Sequence, residues 1–130
     1  MPITRTDPRF VTKTLHAYLD YPVAVSLIAL PFAFGLGASN PPARLIAVIT
    51  GVAAIILNFF TDHNTGVIRV IPFWAHVRVD AVVGIVFVVA PFALGFTGAD
   101  AWYYWANGAA LLLVLSLQKP EAMHVRMASA

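Results

Sequence analysis

The sequence predicts an all-α membrane protein, with four transmembrane helices arranged as two parallel helical-hairpin repeats, each preceded by a cytoplasmic interfacial segment. Composition is the first observation behind this fold class: 60% of the 130 residues are hydrophobic and only 11% are charged. Soluble domains carry roughly 25% charged residues, and a small domain has too much surface to hide so much apolar side chain. Contact with lipid resolves the excess, and the length allows a single membrane domain over residues 1–130.

The second observation is an internal repeat at a fixed offset along the chain. His-x-x-x-Asp precedes an apolar stretch in each copy, and Pro-Phe-Ala-x-Gly closes it. The matched residues are His16, Asp20, Val23, Pro31, Phe32, Ala33 and Gly35 in the first copy, and His76, Asp80, Val83, Pro91, Phe92, Ala93 and Gly95 in the second. A fixed period indicates one structural unit used twice. Repeat 1 is predicted over about 7–60, repeat 2 over about 67–118, and a cytoplasmic tail over 119–130.

The third observation is the distribution of positive charge. If the chain crosses the bilayer four times, Arg44 is the one lysine or arginine on the side of the two hairpin loops. All the other lysines and arginines fall on the side of the termini and the central loop. Basic residues of membrane proteins concentrate on the cytoplasmic side, so both termini and the central loop are predicted to be cytoplasmic. The basic residues are scattered and flank apolar segments, so no nucleic-acid partner is expected. The chain has no cysteine, which excludes disulfides and thiolate metal sites.

The first repeat is predicted to contain an interfacial segment and two helices. Asp7-Pro8 is typical of a helix start, and the residues up to 19 form a segment suited to the membrane surface. Helix 1 is predicted over about 20–36, which is roughly 25 Å long and short for a bilayer core of ~30 Å. Asn40-Pro41 marks the start of helix 2, which is predicted to end near Phe60.

The second repeat is predicted to follow the same plan. Residues 67–74 are mostly apolar but too few to span, so they are predicted to lie in the interface. Helix 3 is predicted over about 80–95 and helix 4 over about 101–117, with Asp100 as its cap. Aromatic side chains favour the headgroup level, and the predicted interfacial anchors are Trp74, Trp102, Tyr103, Tyr104 and Trp105.

Residues 80–96 and 105–108 together carry a family pattern. An aspartate opens an apolar helix that exits through Leu-Gly-Phe, and Trp-Ala-Asn-Gly follows on the next helix. This resembles the SPW repeat of small bacterial integral membrane proteins, with Pro-Phe in place of Ser-Pro-Trp in both copies. The resemblance is strongest over 76–117. It implies a multi-pass protein of the bacterial inner membrane and adds little about activity.

The two His-x-x-x-Asp pairs, His16/Asp20 and His76/Asp80, are the strongest candidates for chemistry. Residues at i and i+4 share a helix face, and a pseudo-two-fold axis could bring the two pairs together. Two facing imidazoles suit the iron of haem b, and two histidines with two aspartates suit a divalent metal. The simpler and favoured interpretation makes each aspartate a cap at the amino end of its helix. No cofactor is therefore predicted, and haem b is the alternative.

The other repeated residues favour structural roles. Pro31, Phe32 and Gly35, with Pro91, Phe92 and Gly95, form the structural repeat motif, and the prolines are expected to kink their helices. Gly51 and Gly108 allow close helix packing, and Asn107 is expected to bond across helices.

These features predict a small multi-pass accessory or scaffold protein that packs in an oligomer or a larger membrane complex. Its predicted partners are the lipid bilayer and either itself or another membrane protein. The alternatives are a haem- or metal-binding electron carrier using the two His/Asp pairs, and a small-solute or lipid transporter. An enzyme is not expected, because no nucleophile–base pair or phosphate-binding loop is recognisable.

Overall fold

The computed structural model describes residues 6–120 as four α-helices. They are α1 (Lys13–Ala33), α2 (Pro42–Phe60), α3 (Phe73–Leu94) and α4 (Gly98–Ser116). α1 packs against α2 and α3 against α4, so the chain forms two helical hairpins, and the described part contains no strand beyond two isolated bridges. The predicted all-α fold of paired hairpins is confirmed. Most of the predicted 119–130 tail lies outside the described residues.

Three of the four helices, α1, α2 and α3, are long and apolar enough to cross a membrane. α1 has 21 residues and α3 has 22, which gives lengths of about 32–33 Å and matches a bilayer core of ~30 Å. α4 is as long as α2, with 19 residues each, but carries Asp100 in its first turn and Asn107 at mid-length. It completes the second hairpin beside α3.

α1 and α3 begin about two turns earlier than the sequence predicted. Thr12 caps α1, and its hydroxyl oxygen accepts a hydrogen bond from the amide of Leu15 at 3.0 Å. α3 begins directly after Pro72. Asp20 and Asp80 therefore lie inside continuous helices and cap nothing, so the favoured capping interpretation is wrong. The first predicted interfacial segment supplies the first two turns of α1, and the second supplies only Phe73 and Trp74 of α3. The earlier starts remove the expected length mismatch.

The Pro-Phe-Ala-x-Gly motif ends α1 and α3 in the same way. Gly35 and Gly95 have φ of 64° and 70°, the left-handed conformation that favours glycine. The amide after each glycine bonds back to the carbonyl of the motif's proline, as in a Schellman cap. These bonds join Leu36 to Pro31 at 2.8 Å and Phe96 to Pro91 at 3.0 Å. The repeated motif is therefore a helix stop, and its phenylalanines, Phe32 and Phe92, point outward.

Each hairpin closes over a glycine on its second helix. A Cβ added at Gly51 would lie 2.8 Å from the carbonyl oxygen of Ala24, and one at Gly108 would lie 2.9 Å from that of Gly84. Ala24 and Gly84 are separated by as many residues as His16 and His76, whereas Gly51 and Gly108 are separated by slightly fewer. The second helix of the repeat recurs at this shorter offset because the loop over residues 95–97 is shorter than the loop over 34–41.

The segment leading into each repeat is bound by the other repeat. Val11 donates to the carbonyl of Leu117 at 2.9 Å and accepts from the amide of Lys119 at 2.8 Å. In the second repeat, Ile71 makes the same two bonds with Phe60 at 2.9 Å and with Asp62 at 2.8 Å. These two sets of backbone hydrogen bonds are related by a pseudo-two-fold axis. They join the start of α1 to the end of α4, and the start of α3 to the end of α2.

The opposite end of the bundle is closed by tyrosines and polar loop contacts. The hydroxyl of Tyr104, fully buried, donates to the carbonyl of Ala43 at 2.7 Å, and Asp100 accepts from the amide of Gly37 at 3.0 Å. Tyr103 is only 9% exposed. The prediction that Tyr103 and Tyr104 are interfacial anchors is wrong, because both are core residues between the hairpins.

We expect the substitution Gly51→Ala to destabilise the first hairpin by about 1–3 kcal/mol, the usual cost of overpacking. The added methyl group would meet the backbone of α1 at Ala24, which cannot move aside like a flexible side chain. Unfolding in a detergent titration measures the change. Val52→Leu, on the exposed face of the same helix, is the control; equal stabilities for the two variants would contradict close packing at Gly51.

Candidate functional site

Four side chains converge at the end of the bundle where α1 and α3 begin. They are His16, Asp20, His76 and Asp80, here called the His/Asp cluster, and one ligand atom from each lies within 4.8 Å of the others. Each histidine is 1% exposed, and the two aspartate side chains are 13% and 16% exposed. The structure thus brings together the two pairs that lie far apart in the sequence, one in each repeat.

Each imidazole contacts the carboxylate of its own helix and that of the other hairpin. His16 Nε2 lies 3.2 Å from Asp20 Oδ1 and 3.0 Å from Asp80 Oδ2. His76 Nε2 lies 3.1 Å from Asp80 Oδ2 and 3.4 Å from Asp20 Oδ2. The four groups form a closed ring of contacts across the pseudo-two-fold axis.

The proton on His16 is fixed by a glutamine from the end of α4. His16 Nδ1 lies 2.9 Å from Oε1 of Gln118, which is 6% exposed. The amide nitrogen of Gln118 donates to the carbonyl of Val11 at 3.0 Å, so the amide oxygen faces the imidazole. Because that oxygen only accepts, Nδ1 of His16 carries the hydrogen and Nε2 faces the carboxylates.

A threonine at the end of α2 does the same for His76. His76 Nδ1 lies 2.8 Å from Oγ1 of Thr61, whose hydroxyl donates to the carbonyl of Leu57 at 2.6 Å. With its hydrogen used there, Thr61 accepts from the imidazole. Thr61 and Gln118 have the same sequence offset as Gly51 and Gly108, so they occupy equivalent places in the two repeats.

A third histidine, His63, joins the cluster from the loop after α2. It is 2% exposed, its Nε2 lies 3.5 Å from Asp20 Oδ2, and its Nδ1 lies 3.3 Å from Oγ1 of Thr65. No sequence signal pointed to it, since His63 has no counterpart in the other repeat. Thr61 and Gln118 were also missed, although each follows the last turn of a second helix at the offset of the packing glycines.

Phe73 covers the cluster on one side. Its ring centroid lies 5.3 Å from that of His16 and 6.1 Å from that of His76, and the residue is 4% exposed. The ammonium of Lys13 lies 5.5 Å from the same ring. The low exposure of these rings lowers the local dielectric, which makes uncompensated charge expensive.

The cluster requires a positive charge. With hydrogen on both Nδ1 atoms, each Nε2 offers a lone pair to a carboxylate oxygen 3.0–3.4 Å away, which is repulsive unless a cation lies between them. Second protons on the imidazoles would supply that charge, and so would a metal ion. One divalent cation balances the two carboxylates, and tetrahedral bonds of about 2.0–2.2 Å place ligand atoms about 3.3–3.6 Å apart. The neighbouring contacts of 3.0–3.4 Å would expand slightly, and the wider pairs of ligand atoms, which lie within 4.8 Å of one another, would close toward this spacing.

Haem is disfavoured by the same geometry. The imidazole centroids of His16 and His76 are 5.5 Å apart with an interplanar angle of 85°, and an oxygen of Asp80 lies against both Nε2 atoms. A bis-histidine haem needs the macrocycle between its two axial imidazoles, and this site has no planar slot there. Of the cofactors considered from the sequence, a metal ion suits the arrangement.

The remaining predicted residues lie away from the cluster. Trp74 and Trp102 are exposed on the apolar surface, whereas the indole of Trp105 donates to the carbonyl of Val88 at 3.2 Å and ties α4 to α3. Asn107 donates to the carbonyl of Tyr103 at 2.8 Å within its own helix. The expectation that Asn107 bonds across helices is therefore wrong.

A family model described as SPW repeat domain matches residues 14–118. The match covers most of the chain and includes both His/Asp pairs, both Pro-Phe motifs and both packing glycines. No curated protein and no solved structure matches the chain.

We expect Thr61→Val and Gln118→Leu to destabilise the protein by similar amounts, about 1–3 kcal/mol each. Either change leaves a buried imidazole N–H without an acceptor, and such unpaired groups carry their full desolvation cost. Thermal unfolding in detergent measures the loss. Thr50→Val is the matched control, because the hydroxyl of Thr50 bonds only to Ile46 in its own helix. Unchanged stability in both cluster variants would contradict the assigned Nδ1 hydrogens.

Proposed function

The chain belongs to the SPW repeat family of membrane proteins, and we propose that it binds one divalent transition-metal ion in the His/Asp cluster. One observation carries the proposal: the Nδ1 atoms of two buried imidazoles face Gln118 Oε1 and Thr61 Oγ1, and their Nε2 atoms face two carboxylates. Histidine ligands that hold metals are oriented in this way, with the second ring nitrogen donating to a protein acceptor.

Zinc is the ion that suits this donor set best. Two imidazole nitrogens and two carboxylate oxygens make a mixed N/O set, and zinc takes such ligands in tetrahedral geometry. Magnesium and calcium prefer oxygen ligands alone. The two aspartates cancel the charge of one Zn²⁺, so the ion would lie in the buried cluster without net charge.

The proposed role of the ion is to join the two hairpins. α1 of the first hairpin and α3 of the second each supply one histidine and one aspartate. Four protein ligands are typical of closed, structural zinc sites, whereas catalytic sites keep an open position. The ion would therefore hold the two repeats together at this end of the membrane domain.

We further propose a location in the bacterial inner membrane with both termini on the cytoplasmic side. Membrane location is supported by the three apolar helices and the family, and the side is supported by the bias of basic residues. The cluster would then lie at the cytoplasmic boundary, where it could be loaded from the cytoplasmic metal pool.

We expect the protein purified from its own membranes to contain about one zinc ion per chain, measured by inductively coupled plasma mass spectrometry. His16→Ala and Asp80→Asn should abolish this content. Saturating metal should stabilise the fold by about 4 kcal/mol at a free concentration of ~1,000 times Kd. Asp7→Asn is the control, because Asp7 is an exposed carboxylate whose pKa the Arg9 guanidinium lowers to about 2.

The proposal would be overturned if the purified protein contained no metal and its unfolding midpoint did not change when chelator or zinc was added. The cluster would then be an ion-pair network of protonated histidines. Bound manganese, iron or cobalt in place of zinc would keep the metal site and change only the identity of the ion.

A second candidate function is the accessory or scaffold role, and the outer face of α4 favours it. α4 is not among the three helices that are apolar enough to cross a membrane alone. One face of α4 is nevertheless uncovered and mostly made of small or apolar residues, because Trp102, Ala106, Ala109 and Leu113 are exposed. Small residues on a membrane helix let a neighbouring helix approach closely. We propose that this face contacts another copy or a larger complex.

The absence of native cysteines makes the α4 contact directly testable. We expect Ala109→Cys to give cross-linked species in native membranes with a bifunctional maleimide, because a neighbouring helix would lie within its reach. Val82→Cys, at an exposed position on α3, is the control. Equal cross-linking at both positions, or none at either, would contradict a partner on α4.

A further inference from the structure

A cavity of about 530 Å³ opens beside the His/Asp cluster between α1, α2 and α3. Its walls are apolar and include Leu27 of α1, Ala53 and Leu57 of α2, and Val83 of α3. Asp20, His76, Asp80 and Asn58 lie at its polar end. The volume falls within the ~300–1,000 Å³ that is typical of sites for small molecules.

Asn58 is the unexplained group in this cavity. It is 2% exposed, and its amide oxygen has no hydrogen-bond partner. An unpaired buried acceptor costs about 1–3 kcal/mol. The repeat does not require an amide here, because Leu115 occupies the equivalent position on α4. An asparagine that the fold does not need, buried without a partner beside an apolar cavity, points to a ligand.

The polar end of the cavity presents unpaired acceptor oxygens. Asn58 Oδ1 and Asp20 Oδ2 both lack a hydrogen-bond donor, and Asp80 adds a second carboxylate. A ligand that satisfies Asn58 must therefore bring its own O–H or N–H. An acyl chain alone would fill the apolar walls and leave the amide unpaired. Water alone would leave most of the apolar wall hydrated.

The route into the cavity lies within the apolar layer. α2 and α3 pack mainly against their own hairpin partners and touch each other little, and both line the cavity. A ligand dissolved in the bilayer can therefore pass between them, with its polar group leading toward Asn58.

We propose that this cavity binds a lipid-soluble alcohol or phenol, with its hydroxyl group donating to Asn58 and its apolar chain lying between α1, α2 and α3. The alcohol site adjoins the proposed metal site, since Asp20, His76 and Asp80 also line the cavity, but Asn58 is not one of the proposed metal ligands. His16, which is a proposed ligand, does not line the cavity.

A photoactivatable diazirine derivative of 1-dodecanol, added to the protein in phosphatidylcholine nanodiscs, tests the proposal. We expect labelling at the cavity walls and competition for that labelling by 1-dodecanol. Competition by 1-methoxydodecane should be about tenfold weaker, because the ether cannot donate a hydrogen bond to Asn58 and a lost hydrogen bond of about 1.4 kcal/mol is a factor of ten. Asn58→Leu should abolish the preference for the alcohol over the ether without abolishing labelling.

Two further variants separate the cavity from the metal. Ala53→Phe should block labelling, whereas Ala110→Phe, at the equivalent position on α4 and away from the cavity lining, should not. His16→Ala should lose metal and keep the preference for the alcohol over the ether. The alcohol test can therefore be interpreted even if the metal proposal fails. Equal competition by alcohol and ether in the unaltered protein would overturn the proposal and leave the cavity as space for lipid chains or for an ordered water on Asn58.

Discussion

Two partly buried aspartates that lie side by side at the end of a membrane bundle require a cation, and the connection between the two hairpins at this end follows from that requirement. Asp20 and Asp80 lie inside continuous helices, so neither carboxylate is satisfied by the free amides of a helix terminus. The imidazoles of His16 and His76 face them, and each imidazole is oriented by a separate acceptor. Because one His/Asp pair comes from each hairpin, charge compensation at this point also joins the two halves of the protein.

The exchange of leading segments explains how such a site is assembled from a repeat. Gln118, which orients His16, comes from the end of the other repeat's hairpin, and the segment before His16 bonds to the same helix end. Thr61 and Ile71 reproduce this arrangement for His76. Neither repeat alone supplies the hydrogen-bond acceptor for Nδ1 of its own histidine, so the cluster forms only when both repeats are folded together. The glycine helix stops and the buried tyrosines close the opposite end independently.

Two polar residues near the site, His63 and Asn58, depart from the symmetry of the repeats. His63 approaches Asp20 and has no counterpart near Asp80, and Asn58 faces the cavity where the other repeat has Leu115. Pseudo-symmetry accounts for the cluster, while Asn58 lines the cavity between α1, α2 and α3 and His63 contacts the cluster itself. A repeat protein can become specific in this way, because one copy gains polar groups while the paired copy keeps the packing.

Hydropathy, the repeat and the glycine positions determined the fold class, since lipid-exposed helices must be apolar and left-handed helix stops need glycine. The internal repeat also selected His16, Asp20, His76 and Asp80. The helix starts were misplaced because an aspartate before an apolar run has the same local pattern whether it caps a helix or lies within one. Only the tertiary structure decided that the pairs meet, that Tyr103 and Tyr104 are buried, and that His63, Thr61 and Gln118 belong to the site. Those outcomes depend on contacts between segments that are distant in the chain, and local periodicity carries no information about such contacts.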